Sequence, residues 1–240
     1  KASQPYAGVP AVIEKAASRE ASLLQAIAKL QMGGPEKYRE KLSDDGKLFV
    51  RDRLGLFFPD GLAFEDGLWA NNLKAGEGLA ADGMVTGAAK MGDRTVFVIA
   101  NDYTVNAGSM AERGVEKFIR VQERALRSQK PILYLIDSSG ARITDQAGFF
   151  ANNRGIGKYF YNHSILSGKI PQISVLYAPC VAGAAYTPVF CYFSIMAPGL
   201  RALCIASTPL VELVPGRAGP DQAWGAALLP WGHPGQCPPL

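Results

Sequence analysis

Histidine is nearly absent from this 240-residue chain: only His163 and His233 occur. A nucleophilic triad needs an imidazole within reach of a serine or cysteine and of a carboxylate. His163 lies in the helical, aromatic stretch Tyr159-Phe160-Tyr161-Asn162-His163-Ser164, and His233 in a proline-rich tail, so both are read as structural. The four cysteines, Cys180, Cys191, Cys204 and Cys237, are 11, 13 and 33 positions apart and form no C-x-x-C pair. Neither a zinc site nor a disulfide framework is expected, and reduced, buried thiols are. No apolar run approaches the roughly 18 residues of a membrane span, and no signal peptide is recognisable. The first residue is Lys1 rather than Met, which leaves room for a removed leading or targeting segment.

Charge is also sparse, at 19% of residues with a net +4, and it alternates in sign, as in Glu36-Lys37-Tyr38-Arg39-Glu40-Lys41. That is the texture of a solvated helix face, and nucleic acid is not an expected partner. Gly155-Ile156-Gly157 has no third glycine at dinucleotide spacing and no P-loop lysine pattern exists, which disfavours nucleotide cradles. Paired carboxylates of the glycosidase kind are missing from the loops described below.

What is present is a globular, 48% hydrophobic chain long enough to bury a substantial core. Ile13, Ala16, Ala17, Leu23, Leu24, Ile27 and Leu30 recur at helical spacing after Pro10, predicting a long amphipathic helix stopped by Gly33-Gly34-Pro35. Glu36 to Lys41 reads as a second helix and Ser43-Asp44-Asp45-Gly46 as a turn. In Lys47 to Phe58, Arg51 and Arg53 among apolar residues read as the solvated side of a helix. Strands are expected at Phe64–Trp69, Met84–Ala88 and Thr95–Ala100, with turns at Gly76-Glu77-Gly78, Ala81-Asp82-Gly83 and Met91-Gly92-Asp93. Ser109-Met110-Ala111-Glu112 fits a capping box for a helix whose inner face is Val115, Phe118, Ile119, Gln122, Ala125 and Leu126.

Two further strands, Ile132–Ile136 and Ile173–Ala178, each run into a loop of small residues: Asp137-Ser138-Ser139-Gly140-Ala141-Arg142, and Pro179-Cys180-Val181-Ala182-Gly183-Ala184-Ala185. In α/β proteins ligands bind at such strand ends. The second loop has the form of a strand-to-helix elbow, whose first N–H groups have no partner within the helix. Ala182 and Gly183 could turn those N–H groups on an oxyanion; the other reading is an ordinary turn packed against a neighbouring helix. With no triad, metal set or nucleotide loop, main-chain donors that stabilise a developing negative charge are the leading chemistry. From Pro198 the chain carries eight of its 16 prolines and only four charges, Arg201, Glu212, Arg217 and Asp221. Leu203–Ala206 reads as a strand, Leu210–Val214 as a helical turn, and the chain beyond Pro215 as loop.

Asn101-Asp-Tyr-Thr-Val-Asn-Ala-Gly-Ser109, Asp137-Ser-Ser-Gly-Ala-Arg-Ile143, Ile170-Pro-Gln-Ile-Ser-Val175 and Pro179-Cys-Val-Ala-Gly-Ala-Ala-Tyr-Thr-Pro188 occur in that order, helped by Gly46-Lys47-Leu48 before Arg51-Asp52-Arg53. From about residue 25 to 214 they resemble the carboxyltransferase (β) subunits of biotin-dependent acyl-CoA carboxylases, the propionyl-CoA, methylcrotonyl-CoA and glutaconyl-CoA decarboxylase group. The resemblance implies an α/β, crotonase-like superhelix of ββα units. It divides the chain into an N-terminal helical extension (1–60), an acyl-CoA-binding domain (61–214) and a divergent tail (215–240). It implies that the amides of Ala182 and Gly183 hold a thioester enolate, and that Ser139, Gly140, Ala141, Arg142, Val181 and Ala184 line the acyl-CoA channel. It also implies biotin on a carrier or biotin carboxylase partner, biotin acting as the base, no metal in this chain, a complementary C-terminal carboxyltransferase half, and an oligomer. The location implied is cytoplasmic or the mitochondrial matrix. Where the family commonly has two glycines this chain has Ala182-Gly183, and where it has Asp-Phe this chain has Tyr192-Phe193. The alternatives are a non-catalytic acyl-CoA-binding or assembly subunit, and a biotin-independent enoyl-CoA hydratase or isomerase with Glu212 as the carboxylate nearest in sequence.

Overall fold

The computed structural model describes residues 9–71, 79–150, 154–178, 180–196 and 203–204. The turn expected at residues 76–78, the helical turn at 210–214 and the tail lie outside the described residues. Three helices open the chain: α1 (Val9–Gln31), α2 (Glu36–Asp44) and α3 (Val50–Phe57). The expected stop after α1 is present, with Gly33 in the left-handed region at φ 76°. Leu30 is buried, while Leu23 and Leu24 are exposed, so much of the described apolar face of α1 has no cover among the described residues.

Five strands then build a sheet in chain order: β1 (Leu62–Glu65), β2 (Met84–Met91), β3 (Arg94–Asn101), β4 (Ile132–Ile136) and β5 (Gln172–Leu176). A short β6 (Cys180–Val181) and an edge strand β7 (Phe193–Met196) follow, and β8 (Leu203–Cys204) pairs in parallel with β6. The six-stranded sheet has the order β1-β2-β3-β4-β5-β7. β1, β2 and β3 are antiparallel, and β3, β4, β5 and β7 are parallel. Parallel neighbours require crossovers, supplied by α4 (Glu112–Ser128), by α5 (Gln146–Phe149) with α6 (Ile156–Leu166), and by α7 (Tyr186–Phe190).

Strand side chains alternate between faces, so two cores form. Met84, Phe97, Ile99, Ile132, Tyr134 and Ile136 pack beneath α4 and α6. Val85, Val96, Val98, Leu133 and Leu135 face the other way and are covered by Phe49, Val50, Leu54 and Phe58 around α3. The expectation that β3 is buried on both faces is met, since Val96 to Ile99 are all buried. α4 turns Val115, Phe118, Ile119, Gln122 and Ala125 inward, as its spacing predicts. Full burial of each large apolar side chain contributes about 1.5–3 kcal/mol.

The strand expected at Phe64–Trp69 is instead β1, Leu62–Glu65, with residues 68–71 in a turn, and two further expectations are overturned. α4 starts at Glu112 with extended Ala111 at its N-cap and no side-chain cap. Ser109 instead accepts hydrogen bonds from Arg142 at its Oγ and at its carbonyl, so no capping box forms. Arg53 is buried at 3% exposure rather than solvated, because α3 lies against the sheet and turns this residue toward the end of β4. Arg51 keeps partial exposure and makes a two-pronged ion pair with Glu65 at 2.8 and 2.9 Å.

Candidate active site at three strand ends

β3, β4 and β5 are parallel neighbours, so the segments that follow them start side by side. After β3, the polar loop folds back through Asn106 and Ala107, both left-handed at φ 46° and 53°. This lets the Ala107 carbonyl accept from the Ser139 amide at 3.0 Å. Gly108 is required here twice over: its φ is 64°, and a Cβ would collide with the Asp137 carbonyl. The Met110 amide donates to the Gly140 carbonyl and the Arg142 amide to the Met110 carbonyl, each at 2.8 Å. The loops after β3 and β4 are therefore one hydrogen-bonded unit.

Buried charge braces that unit. Asp137, at the end of β4, accepts from Lys47 at 3.1 Å and from Arg53 at 3.0 Å. The Arg53 guanidinium also stacks 3.8 Å from the centre of the Tyr177 ring. At the far end of the loop, Arg142 is buried and donates to Asp82 at 2.8 Å, to Asp145 at 3.3 Å and to Ser109. Asp82 is left-handed at φ 51° and also accepts from the Gly114 amide at 2.7 Å. That strained turn is held in turn by Lys117, whose ammonium donates to the carbonyls of Ala81 and Met84. Burial pulls the Lys117 pKa down to about 8 despite the pull of Glu65, Asp82 and Asp66.

The segment after β5 is held by neutral groups. Tyr177 donates its amide to the Ile136 carbonyl at 2.9 Å, keeping the two loop bases adjacent. β6 then leads into a 3-10 turn, Ala182–Ala185, which runs directly into α7. Beneath α7, the side-chain oxygen of Gln172 accepts from Tyr134 at 3.0 Å and lies 3.1 Å from His163 Nδ1. Nδ1 must therefore carry the proton, leaving Nε2 to accept from Thr187 at 3.4 Å. Thr187 in turn takes the Tyr159 hydroxyl as donor. Burial lowers the His163 pKa to about 4, consistent with a neutral imidazole in this relay. His163 is thus structural, as expected.

The candidate residues fall into distinct settings. Ser139 is exposed, Gly140 and Arg142 are buried, and Ala141 is half-buried. The amides of Ser139, Gly140 and Arg142 already donate to protein acceptors, and the Arg142 side chain turns inward to its carboxylates. Ala141 and Ala184 pack on the same core cluster, which brings the two loops together on one side of the sheet. Val181 and Ala182 start the elbow. Gly183 is half-buried, does not have a positive φ, and a Cβ built on it meets no atom of the described residues within 4 Å. The small residue there is required neither by backbone strain nor by packing against a described neighbour, contrary to an ordinary tightly packed turn.

Lys47, Arg53 and Tyr177 are the residues that sequence reasoning missed at this site. The signal was available: two arginines two positions apart on a helix point about 200° apart, so Arg51 and Arg53 cannot share an outward face. Among the described residues no group of three or more His, Cys, Asp or Glu side chains could hold a metal ion, and no helix is long and apolar enough to cross a membrane. Neither Cys180 nor Cys191 forms a disulfide among the described residues.

This arrangement has known counterparts. An uncharacterised carboxylase of Bacillus subtilis (strain 168) is 45% identical over 201 residues, which cover 84% of this chain and 39% of that protein. The mitochondrial methylcrotonoyl-CoA carboxylase beta chain of Dictyostelium discoideum is 34% identical over 210 residues, 86% of this chain and 36% of that protein. Among solved structures, the hexameric transcarboxylase 12S with methylmalonyl-coenzyme A bound superimposes with a TM-score of 0.79 at 30% identity, covering 88% of this chain and 41% of that one. The chain thus spans about two fifths of the length of these relatives, with the α/β, crotonase-like fold of the carboxyltransferase domains and a helical N-terminal segment. The carboxyl transferase domain family matches over residues 41–229, a stretch that contains all three strand-end loops, and the chain belongs to that family.

Proposed function

We propose that this chain is the acyl-CoA half-site of a biotin-dependent carboxyltransferase. Residues 61–214 bind the acyl-CoA and residues 1–60 form a helical extension. The observation that carries the reading is that no described residue covers Gly183, in an elbow whose first amides have no partner within their own turn. A thioester carbonyl laid over Ala182 and Gly183 would gain a full electron pair on oxygen as the α-proton leaves, and the two amides would hold that charge. Collapse of the enolate then forms the carbon–carbon bond to the incoming carboxyl group. Biotin, borne by a partner, would give up that carboxyl group by breaking its N–carboxyl bond and take the α-proton on the freed nitrogen, and decarboxylation would run the same exchange backwards. Ser139 and Ala141 line the channel beside the elbow, Gly140 shapes the loop, and Val181 and Ala184 flank the amides. Arg142 acts from beneath, fixing the loop through Asp82 rather than touching the ligand.

The site carries no side-chain base of its own among the described residues: Asp137 is engaged by Lys47 and Arg53, and Asp145 by Arg142. That disfavours hydratase or isomerase chemistry, for which Glu212 lies outside the described residues. A C-terminal carboxyltransferase half and a biotin-carrying carboxylase component are the partners this reading requires, in an oligomer.

Calorimetric titration with acetyl-, propionyl- and longer acyl-CoAs tests the half-site, and failure to bind any of them sinks it. Decarboxylation of methylmalonyl-CoA with added biotin, in the presence of a complementary half, tests the chemistry. Gly183→Val should lower that rate at least 100-fold, matching the ~3 kcal/mol that one lost oxyanion donor costs, with an unchanged melting temperature. An unchanged rate would remove the oxyanion assignment. Binding without turnover in the completed assembly selects the non-catalytic acyl-CoA-binding subunit instead.

A further inference from the structure

Lys117, on α4, is fully buried, and its ammonium makes no ion pair among the described residues; it donates instead to the carbonyls of Ala81 and Met84. Burying a charge with only neutral acceptors is unfavourable, a cost that a methionine in its place would avoid. Room is nevertheless made for it. Gly67 stands so close that a Cβ there would lie 2.8 Å from the Lys117 stem. The charged groups around the ammonium are Glu65 and Asp66 from β1 and the residue after it, Asp82, and Arg120 from its own helix. Glu65 is taken by Arg51, and Asp66 by Arg120 and Arg124.

The carbonyls that Lys117 holds flank a turn that is costly by itself. Ala81, Asp82 and Gly83 are left-handed in succession, at φ 48°, 51° and 71°, a region that disfavours residues with a side chain. The turn leads into β2 and so lies at the end of the sheet where β3 finishes, since Met84 pairs with Asn101. It touches two of the strand-end loops there. The Gly83 carbonyl accepts from the Asp102 amide at 2.9 Å, in the loop after β3. The Asp82 carboxylate accepts from Arg142 at 2.8 Å, in the loop after β4, and from the Gly114 amide at 2.7 Å. The reach of Asp82 to Arg142 thus depends on the backbone conformation that Lys117 secures.

We infer that Lys117 is a positioning residue of the half-site: its charged ammonium secures the left-handed turn, the turn presents Asp82 to Arg142, and Arg142 fixes the loop that lines the channel. The ligand in this inference rests on the proposed function, whereas the linkage between Lys117 and the loop does not. An ammonium hydrogen-bonds carbonyls more strongly than a neutral amine, so loss of its proton loosens the turn. Burial lowers the Lys117 pKa to about 8 from an ordinary 10.5, against the pull of Glu65, Asp82 and Asp66. The folded chain therefore carries this charge below about pH 8 and sheds it above.

The test reads two quantities on the whole chain at pH 7 and pH 9: propionyl-CoA affinity by calorimetry, and amide hydrogen exchange over residues 138–145, corrected for the intrinsic effect of pH on exchange. The population carrying the charged lysine falls about tenfold between these pH values, and wild-type affinity and loop protection should fall with it, while residues 182–190 keep their protection. Lys117→Met should already show at pH 7 an affinity weaker by about tenfold or more and a less protected loop, with no further change at pH 9. Val96→Ala, which opens a hole in the other core, should lower the melting temperature and leave both quantities unchanged. Wild-type values that ignore pH, a Lys117→Met chain that matches wild type, or an equal loss in Val96→Ala overturns the inference. Should Lys117→Met fail to fold, the wild-type pH series decides alone. If propionyl-CoA binds with an affinity indifferent to pH and to Lys117→Met, the positioning role falls and the proposed function stands. If exchange in the loop follows Lys117 and no acyl-CoA binds, the linkage stands and the proposed function falls.

Discussion

The loop after β4 and the elbow after β5 leave neighbouring strands at the same end of the sheet, yet they are held by opposite means. Around the first, buried ions do the holding: Asp137 with Lys47 and Arg53, and Asp82 with Arg142. Around the second, the relay Tyr159, Thr187, His163, Gln172 and Tyr134 is neutral throughout. The difference has a physical consequence. Ions fix a loop firmly, but they leave strong fields that must be balanced within the fold. A neutral relay fixes an elbow without placing a competing charge beside the amides that are proposed to meet an oxyanion.

The sharpest way to break this comparison is at Asp137. Asp137→Ala leaves the Lys47 ammonium and the Arg53 guanidinium facing each other without their carboxylate, and uncompensated buried charge costs about 3–5 kcal/mol. Urea unfolding should show a loss of that size; a loss below 1 kcal/mol would mean the ions contribute little to holding the first loop.

Acid should strike the neutral side next. The folded His163 pKa is lowered to about 4 from an ordinary value of 6.5, chiefly by burial. Below pH 6.5 the unfolded chain takes up a proton that the folded chain refuses, so stability falls as pH drops from 6.5 toward 4, by about 3 kcal/mol at most. Asp102 works in the opposite sense, since burial raises its pKa and favours the protonated folded form. Comparing the slope of stability against pH in wild type and in His163→Gln isolates the histidine, and the variant should be flatter. Equal slopes would show that this imidazole is not the acid-sensitive element.

Thr187→Val should have the smallest effect on stability and the most local one. It removes the hydroxyl that joins Tyr159 to His163, a loss of about 1–2 kcal/mol. Hydrogen exchange should quicken over residues 182–190 and stay unchanged over β4; uniform change across both would deny the elbow its separate anchorage.

Much of this layout was legible in the chain. Two loops of small residues follow apolar, β-rich runs, and parallel strands deliver such loops to one end. The inner face of α4 follows from its spacing, and the scarcity of histidine is what directed attention to main-chain donors. The failures share one cause. Ser109 and Glu112 have capping-box spacing, but Ser109 is engaged by Arg142, 33 positions away. Arg53 sits among apolar residues like any amphipathic charge, but its partner Asp137 is 84 positions off. Long-range partners decide both: the helical spacing says that Arg51 and Arg53 face apart, but not which of the two is buried or against what.

By itself, then, the sequence determined the central strands β2 to β5, the main helices and the two small-residue loops, because side-chain periodicity and backbone freedom act within a few residues. Only the tertiary structure decided that Arg53 is buried, that Arg142 braces the loop from inside, that no described residue covers Gly183 and that Lys47, Arg53 and Tyr177 enclose a cavity. Those depend on which charges and surfaces the fold brings together, and an ion pair stabilises or costs according to how much water remains around it.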